Sequence, residues 1–155
     1  MLVVKVDVFG DIVLARALSR FGENVRDFSP VLEEIHDAFI QIEQEQFDTQ
    51  GGRSNPWEPL RPTYAQWKQK YFPGLPILVL TGALRSEMVN PQTEITPHTL
   101  RMSPYNDLKA IFHQKGRADM AARPVIDLTE ADKLDWMKRI HRFIYEKAKE
   151  GGLTP

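Results

Sequence analysis

Residues 28–62 read FSPVLEEIHDAFIQIEQEQFDTQGGRSNPWEPLRP, and they change character halfway. In the first half Phe28, Leu32, Ile35, Phe39 and Ile42 recur at three- and four-residue steps, the spacing of one helix face. Ser29 is placed to cap that helix, Pro30 suits its first turn, and Glu33 and Glu34 favour its positive end. The predicted helix runs to about Phe47, roughly 25 Å. The second half contains Gly51, Gly52, Asn55 and the spaced prolines Pro56, Pro59 and Pro62, which forbid both helix and central strand. Yet Trp57 and Leu60 are large apolar groups that need cover. The segment therefore reads as a long Gly/Pro-rich loop pinned to the body at Trp57, and long loops inside a compact domain are often functional.

Working outward, Leu2, Val4, Val6 and Val8 alternate with Lys5 and Asp7, a strand pattern. From Asp11 the period changes: Leu14, Leu18, Phe21 and Val25 predict a helix that Gly22 weakens or ends. Downstream, Thr63 is expected to cap a short helix carrying Tyr64, Trp67 and Tyr71, ended by Pro73, Gly74 and Pro76. Ile77–Leu80 reads as a short extended or buried approach. Thr81 then caps a helix through Met88, with Leu84 and Met88 inward. Residues 92–103 predict a hairpin, with Ile95 on one arm, Leu100 and Met102 on the other and Pro97-His98 at the turn. The segment DLKAIFHQKG (107–116) leads into a flexible RADMAARP (117–124), and Val125–Leu128 is a last strand candidate. Thr129 and Asp132 form a near capping box for a final helix carrying Leu134, Trp136, Met137, Ile140, Phe143 and Ile144. The sum is a single α+β domain over residues 1–150, several helices packed on a small, mostly antiparallel sheet, with residues 151–155 as a flexible tail.

Composition narrows the function classes. The 155 residues suffice for one domain that buries roughly 70% of its unfolded surface. No apolar run approaches the roughly 20 residues that span a bilayer, and MLVVKVDVFGD lacks the pattern of a signal peptide, so no membrane role is expected. With no cysteine there is no thiolate chemistry. A formal net charge of −1 argues against a simple polycation. The charge is uneven, however: acids crowd residues 11–48 and bases crowd 133–149, which reads as a pair of solvated helix faces or, more sharply, as a subunit with opposite poles, its acidic helices and its basic C-terminal helix on different faces of a ring. His36, His98, His113 and His141 are scattered and none forms an i, i+4 metal pair. Gly51-Gly52 has no following Lys-Ser/Thr, no serine sits in a G-x-S-x-G elbow, and the abundant acids sit at solvent-face helical positions. Neither catalysis nor a metal or cofactor is expected. Trp136, Phe143 and Tyr145 interleave with bases on the last helix, as in a nucleic-acid-binding face, but they recur at core-facing spacing, which makes the bases simply its outer surface.

Three stretches, in order, resemble the phage virion morphogenesis family, which includes tail-completion proteins. In FDTQGGRSNPWEPLRPTYAQWK, Phe47, Trp57, Leu60, Thr63 and Lys68 match a Phe, a Gly/Pro-rich gap, W-x-x-L, then Thr and a later Lys. ILVLTGALRSEM matches through Ile77, Leu78, Thr81, Gly82, Leu84 and Arg85. In AIFHQKG and ARPVIDLTEAD, Ala110, His113, Gln114 and Gly116 precede Arg123 and Pro124. The order and spacing carry the resemblance, which covers most of the chain. Leu80 stands where the family often has an acid, and Lys109 where it often has Tyr. The resemblance implies a structural component acting at the neck of a tailed-phage particle, in head–tail joining or tail completion. It implies action by ring assembly, a hexamer of copies of itself, with neighbouring neck, connector or tail proteins as partners and passive, non-specific contact with packaged DNA left open. Residence would be the virion's head–tail junction, after assembly in the host cytoplasm. Tail terminator, minor capsid or assembly protein, and DNA-binding protein are the rival roles. His113 and Gln114 are then structural or interface residues, and the loop around Trp57 and residues 116–122 are the segments expected to order on assembly.

Overall fold

Helix α2 (Ser29–Asp48) carries the molecule because its apolar stripe is longer than any one partner can cover. The computed structural model describes residues 11–105 and 107–153, so the strand expected at Leu2–Val8 lies outside the described residues. The element order is α1 (Asp11–Asn24), α2, α3 (Pro62–Tyr71), α4 (Ala83–Val89), β1 (Gln92–Thr96), β2 (Thr99–Ser103), α5 (Asp107–Lys115) and α6 (Glu130–Glu150). Among the described residues the sheet is a two-stranded antiparallel hairpin, within an α+β fold. Ile95 pairs with Leu100, and Thr96 with Thr99 around the two-residue turn Pro97-His98.

The two halves of α2 pack into different cores. Its first half sets Val31 and Ile35 against Phe143 of α6, with Phe28, Leu32, Leu100, Trp136, Ile140 and Ile144 closing around them. Its last turn places Phe47 in a second cluster with Trp57, Leu84, Met88, Ala110 and Val125. Fully burying one such large apolar side chain is worth about 1.5–3 kcal/mol, so the two clusters are the main source of cohesion. Acidic α2 and basic α6 pack against each other within the subunit, where Glu34 meets Arg142 at 2.6 Å and Arg139 at 3.6 Å. The two oppositely charged helices are thus neighbours in the subunit, bridged at Glu34 by side chains that remain partly exposed.

Several local expectations shift, each for an identifiable reason. Ser29 does not cap α2: Phe28 is the cap residue, and the Asp27 carboxylate takes the Ser29 N–H at 2.8 Å. Helix α3 begins at Pro62, whose missing N–H costs nothing in a first turn, so Thr63 lies inside the helix and Arg61 is its cap residue. Helix α4 begins after Gly82, at φ 80°, and Thr81 reaches only the Ala83 N–H at 3.4 Å. Ile77–Leu80 takes the buried alternative and not the extended one: Ile77, Leu78 and Val79 pack partly buried on the second cluster, the Val79 N–H donates to the Pro76 carbonyl at 3.2 Å, and Leu78 is at φ 60°. Residues 107–115, read only as a leading segment, form α5. Among the described residues no strand pairs with Val125–Leu128, which is irregular; the Gln114 side chain takes its backbone hydrogen bonds instead.

The capping box at Thr129 and Asp132 is complete, with both reciprocal hydrogen bonds made. At its other end α6 closes in a Schellman motif. The Leu153 N–H donates to the Ala148 carbonyl at 2.9 Å and the Gly152 N–H to Lys149 at 3.0 Å, with Gly152 at φ 81°. Gly151, buried against Phe21 of α1, belongs to that closure; residues 151–153 had been expected to fray. On α6 itself Leu134, Met137 and Tyr145 are exposed, so the core-facing spacing reaches Phe143 but not Tyr145.

Candidate functional site

The long loop is built around Trp57. Its ring packs edge-on to Phe47, centroids 5.4 Å apart, and its indole N–H donates to the Pro124 carbonyl at 2.7 Å. The Gln46 amide donates to the same carbonyl at 2.9 Å. Gly51, at φ 85°, passes so close that a Cβ there would lie 2.5 Å from the Trp57 ring, so both its conformation and its lack of a side chain are required. Past the glycines, Arg53 donates to Glu45 at 3.0 Å, to the Asp127 carbonyl at 3.3 Å and to both oxygens of Asp132 at 2.8 and 3.0 Å. Burial works to raise the Asp132 pKa, but the hydrogen bonds from Arg53 and Thr129 outweigh it and hold the carboxyl below its ordinary value.

Arg123 and Gln114 hold the C-terminal side of the loop. Buried Arg123 donates from Nε to the Glu58 carbonyl at 2.7 Å and from Nη2 to Pro59 at 2.9 Å, while its own N–H donates to the His113 carbonyl at 2.7 Å. The Gln114 side-chain oxygen accepts from the N–H groups of Val125 and Ile126, both at 3.0 Å, and its amide donates to the Ile126 carbonyl at 2.9 Å. One side chain thus satisfies the backbone that a neighbouring strand would otherwise pair. Pro124 places Arg123 in extended backbone and its carbonyl is the acceptor shared by Trp57 and Gln46.

A cleft of about 820 Å³ opens beside this loop, between α3, the turn at Ile77–Leu80 and the segment Arg117–Arg123. That segment folds back on itself: the N–H of Met120 donates to the Arg117 carbonyl at 2.7 Å, and the N–H of Arg117 to Met120 at 3.1 Å. Gly116, at φ 73°, begins the turn, and a Cβ there would come within 2.8 Å of the Met120 carbonyl. Buried Lys68 donates from its ammonium to the Pro76 carbonyl at 2.5 Å, and burial lowers its pKa. The His113 Nδ1 is buried without a hydrogen-bond partner; burial, then the positive charge of Arg123, lowers its pKa and favours the neutral ring. Leu60 lines the cleft.

Over the rim of the cleft runs an aromatic ladder. Tyr64 stacks on Trp67 at 5.5 Å and 23°, and Trp67 contacts Tyr71 at 5.7 Å and Phe72 at 5.5 Å. All four are at least a third exposed, and Leu75 beside them is exposed too. Soluble proteins rarely leave such a contiguous apolar surface without a use, and Trp and Tyr dominate binding hot spots.

The sequence-picked residues divide accordingly. Phe47, Trp57 and Leu84 are core; Gln114, Gly116, Arg123 and Pro124 hold the loop system; His113 and Leu60 reach the cleft. Thr63 is exposed, Thr81 and Gly82 lead into α4, and Arg85 pairs with Asp48 at 2.5 Å on the surface. Arg53 and Glu43 were missed. Glu43 was taken for a solvent-face acid, yet it is fully buried with neither oxygen hydrogen-bonded. Burial first, against the opposing charge of Arg53 and aided by Asp127, pushes its pKa up to about 8. Its place four residues after Phe39, and that of buried Gln46 four after Ile42, was the signal available. Among the described residues no three His, Asp or Glu side chains gather in a way that could hold a metal ion.

Comparison with known proteins adds the family. The model of the phage virion morphogenesis family matches residues 11–144, a span that includes the pinned loop, the cleft and most of α6, and the chain belongs to that family. No curated protein and no solved structure matches the chain.

Proposed function

We propose, from the chain's membership of the phage virion morphogenesis family, that it is a neck component of a tailed-phage particle, acting in head–tail joining or tail completion. Membership itself gives the chain a part in virion assembly as a structural protein. The finer reading is supported by one observation above the others: the ladder Tyr64, Trp67, Tyr71 and Phe72, at and just after α3, is stacked on itself and exposed, as a surface kept for contact would be. A subunit of this kind works by binding, without turnover. Six copies bury unlike surfaces against one another, head to tail, in contacts that close into a ring around the DNA passage. The Glu34–Arg142 contact changes one consequence of this reading. Glu34, Arg139 and Arg142 are thereby spent within the subunit, and with the exposed ladder as the joining surface ring closure rests mainly on apolar contact and depends weakly on salt.

The test is electron microscopy of lysates from phage whose Trp57 codon is replaced by a stop. Full heads beside finished but unjoined tails are the expected result. Tails of uncontrolled length would make the protein a tail terminator, and normal infectious particles would remove it from assembly altogether. Native mass spectrometry of the purified protein, or of the protein mixed with its neck neighbours, reads the ring size.

A further inference from the structure

The cleft beside α3 is lined by four cationic side chains, Arg61, Lys68, Arg117 and Arg123, against two acidic residues, Glu58 and Asp119, and Asp119 is already paired with Arg61. Lys68 is 4% exposed and Arg123 is 6% exposed. Among the described residues the partners of both side chains are backbone carbonyls: Pro76 for Lys68, Glu58 and Pro59 for Arg123. Carbonyl dipoles offset only part of the cost of taking such charges out of water, so the field inside the cleft is positive. His113 adds a buried ring nitrogen, Nδ1, with no partner. Two non-glycine residues on the cleft wall, Leu78 and Ala118, are held at φ 60° and φ 46°. Left-handed backbone of this sort is costly for a bulky residue such as Leu and concentrates at ligand clamps. The remaining lining is mixed: Leu60, Val79, Leu80 and Met120 form an apolar side that continues onto the aromatic ladder through Tyr64, while Glu58, Arg61, Arg117 and Asp119 are its other charged members. The volume is that of a small-ligand site.

We infer that this cleft is a receptor for an acidic side chain carried on an apolar segment of a neighbouring polypeptide, with the carboxylate seated at Lys68 and Arg123 and the flanking apolar groups on Leu80, Met120 and the Tyr64–Trp67 stack. The positive interior selects the carboxylate, and the apolar wall selects a polypeptide over a phosphate backbone, which would leave that wall uncovered. The inference rests on the assembly reading only for where the neighbour comes from. Binding is read on the isolated protein, so its failure leaves the assembly role standing, and unjoined particles would not rescue it.

The experiment is a titration of the isotopically labelled protein with the capped tripeptide acetyl-Leu-Glu-Leu-amide, followed by amide and methyl NMR. Shifts should concentrate at residues 78–80 and 118–121, with affinity at least tenfold above that of acetyl-Leu-Gln-Leu-amide. Lys68→Met, which keeps the stem and removes the charge, should erase the difference. Should that variant fail to fold, the wild-type His113 ring decides: saturation with the Glu peptide raises its titration midpoint, and saturation with the Gln peptide does not. Equal binding of the two peptides, shifts confined to other surfaces, no shifts at millimolar peptide, or a DNA duplex that perturbs the same amides more strongly than the Glu peptide would each overturn the assignment.

Discussion

Two groups of aromatic residues lie within 25 positions of each other and are treated in opposite ways. Phe47 and Trp57 are 2% and 4% exposed, ringed by the backbone of Gly51 and Pro124 and by the buried side chain of Gln46. Tyr64, Trp67, Tyr71 and Phe72 are stacked on one another yet left against solvent. The difference lies in what surrounds them. The Trp57 indole has a fixed acceptor and a glycine cut to its shape, so its burial stabilises the monomer. The α3 ladder stacks along its own helix and the turn after it and is at least a third exposed, with Tyr64 reaching the cleft, so it adds little burial to the single chain. The first group holds the fold, and the second is the surface that the proposed assembly would use.

Substitutions can break or sharpen that contrast. The largest effect is expected from Trp57→Ala, which should cost about 3–5 kcal/mol in chemical denaturation, because the site is too tightly built to collapse. The Pro124 carbonyl would keep its Gln46 donor, so the loss is one of packing, and a cost below about 1 kcal/mol would show that the loop is not pinned there.

Next comes Glu43, beneath the same loop. Its folded pKa of about 8 exceeds the ordinary 4.5, so the folded state holds a proton that the unfolded chain has released. Stability should therefore fall as pH rises from about 4.5 to 8 and level off above that, by on the order of 4 kcal/mol. Glu43→Gln should flatten this profile and raise Tm at pH 8; parallel profiles for the two proteins would refute the buried neutral acid. Gly51→Ala, which meets both the indole ring and a positive φ, should cost about 2 kcal/mol. The smallest effect on stability is expected from Trp67→Ser with Tyr71→Ser, within about 1 kcal/mol by thermal melts, since exposed positions contribute little to folding. The same double variant should abolish ring formation in native mass spectrometry; rings formed as by the wild type would mean that the ladder is not the contact surface.

Much of this was legible in the sequence where chemistry is local. The periodic stripe on α2, the hairpin turning at Pro97-His98 and the capping box at Thr129 each depend on residues a few positions apart, and each reads directly. Trp57 was legible as an anchor because a large apolar group among prolines has nowhere else to go. What could not be read depends on long-range partners. Gln114 looks like any polar residue until the backbone of Val125 and Ile126 lies beside it. The expectation of a strand there failed because a short apolar run says nothing of whether a second strand is present to pair with it. Lys68 stood in the family pattern, but that its charge would be buried without an acid could be seen only once Pro76 and Arg123 were placed around the same cleft. Glu43 was misread because most acids on its helix do face solvent.

The loop of Trp57 is latched by residues that come much later in the chain: Trp57 to Pro124 spans 67 positions, and Arg53 to Asp132 spans 79. On the ribosome, then, the N-terminal half emerges without its latch. At about 5–20 residues per second, Trp57 waits roughly 3–13 s before Pro124 is even made. During that interval an uncovered tryptophan and the α3 aromatics are presented together, the one interval in which both groups of aromatics are alike. Chains interrupted before Pro124 should accumulate as chaperone-bound or insoluble fragments rather than as a smaller folded domain, and the timing of synthesis is thereby part of how the two groups come to differ.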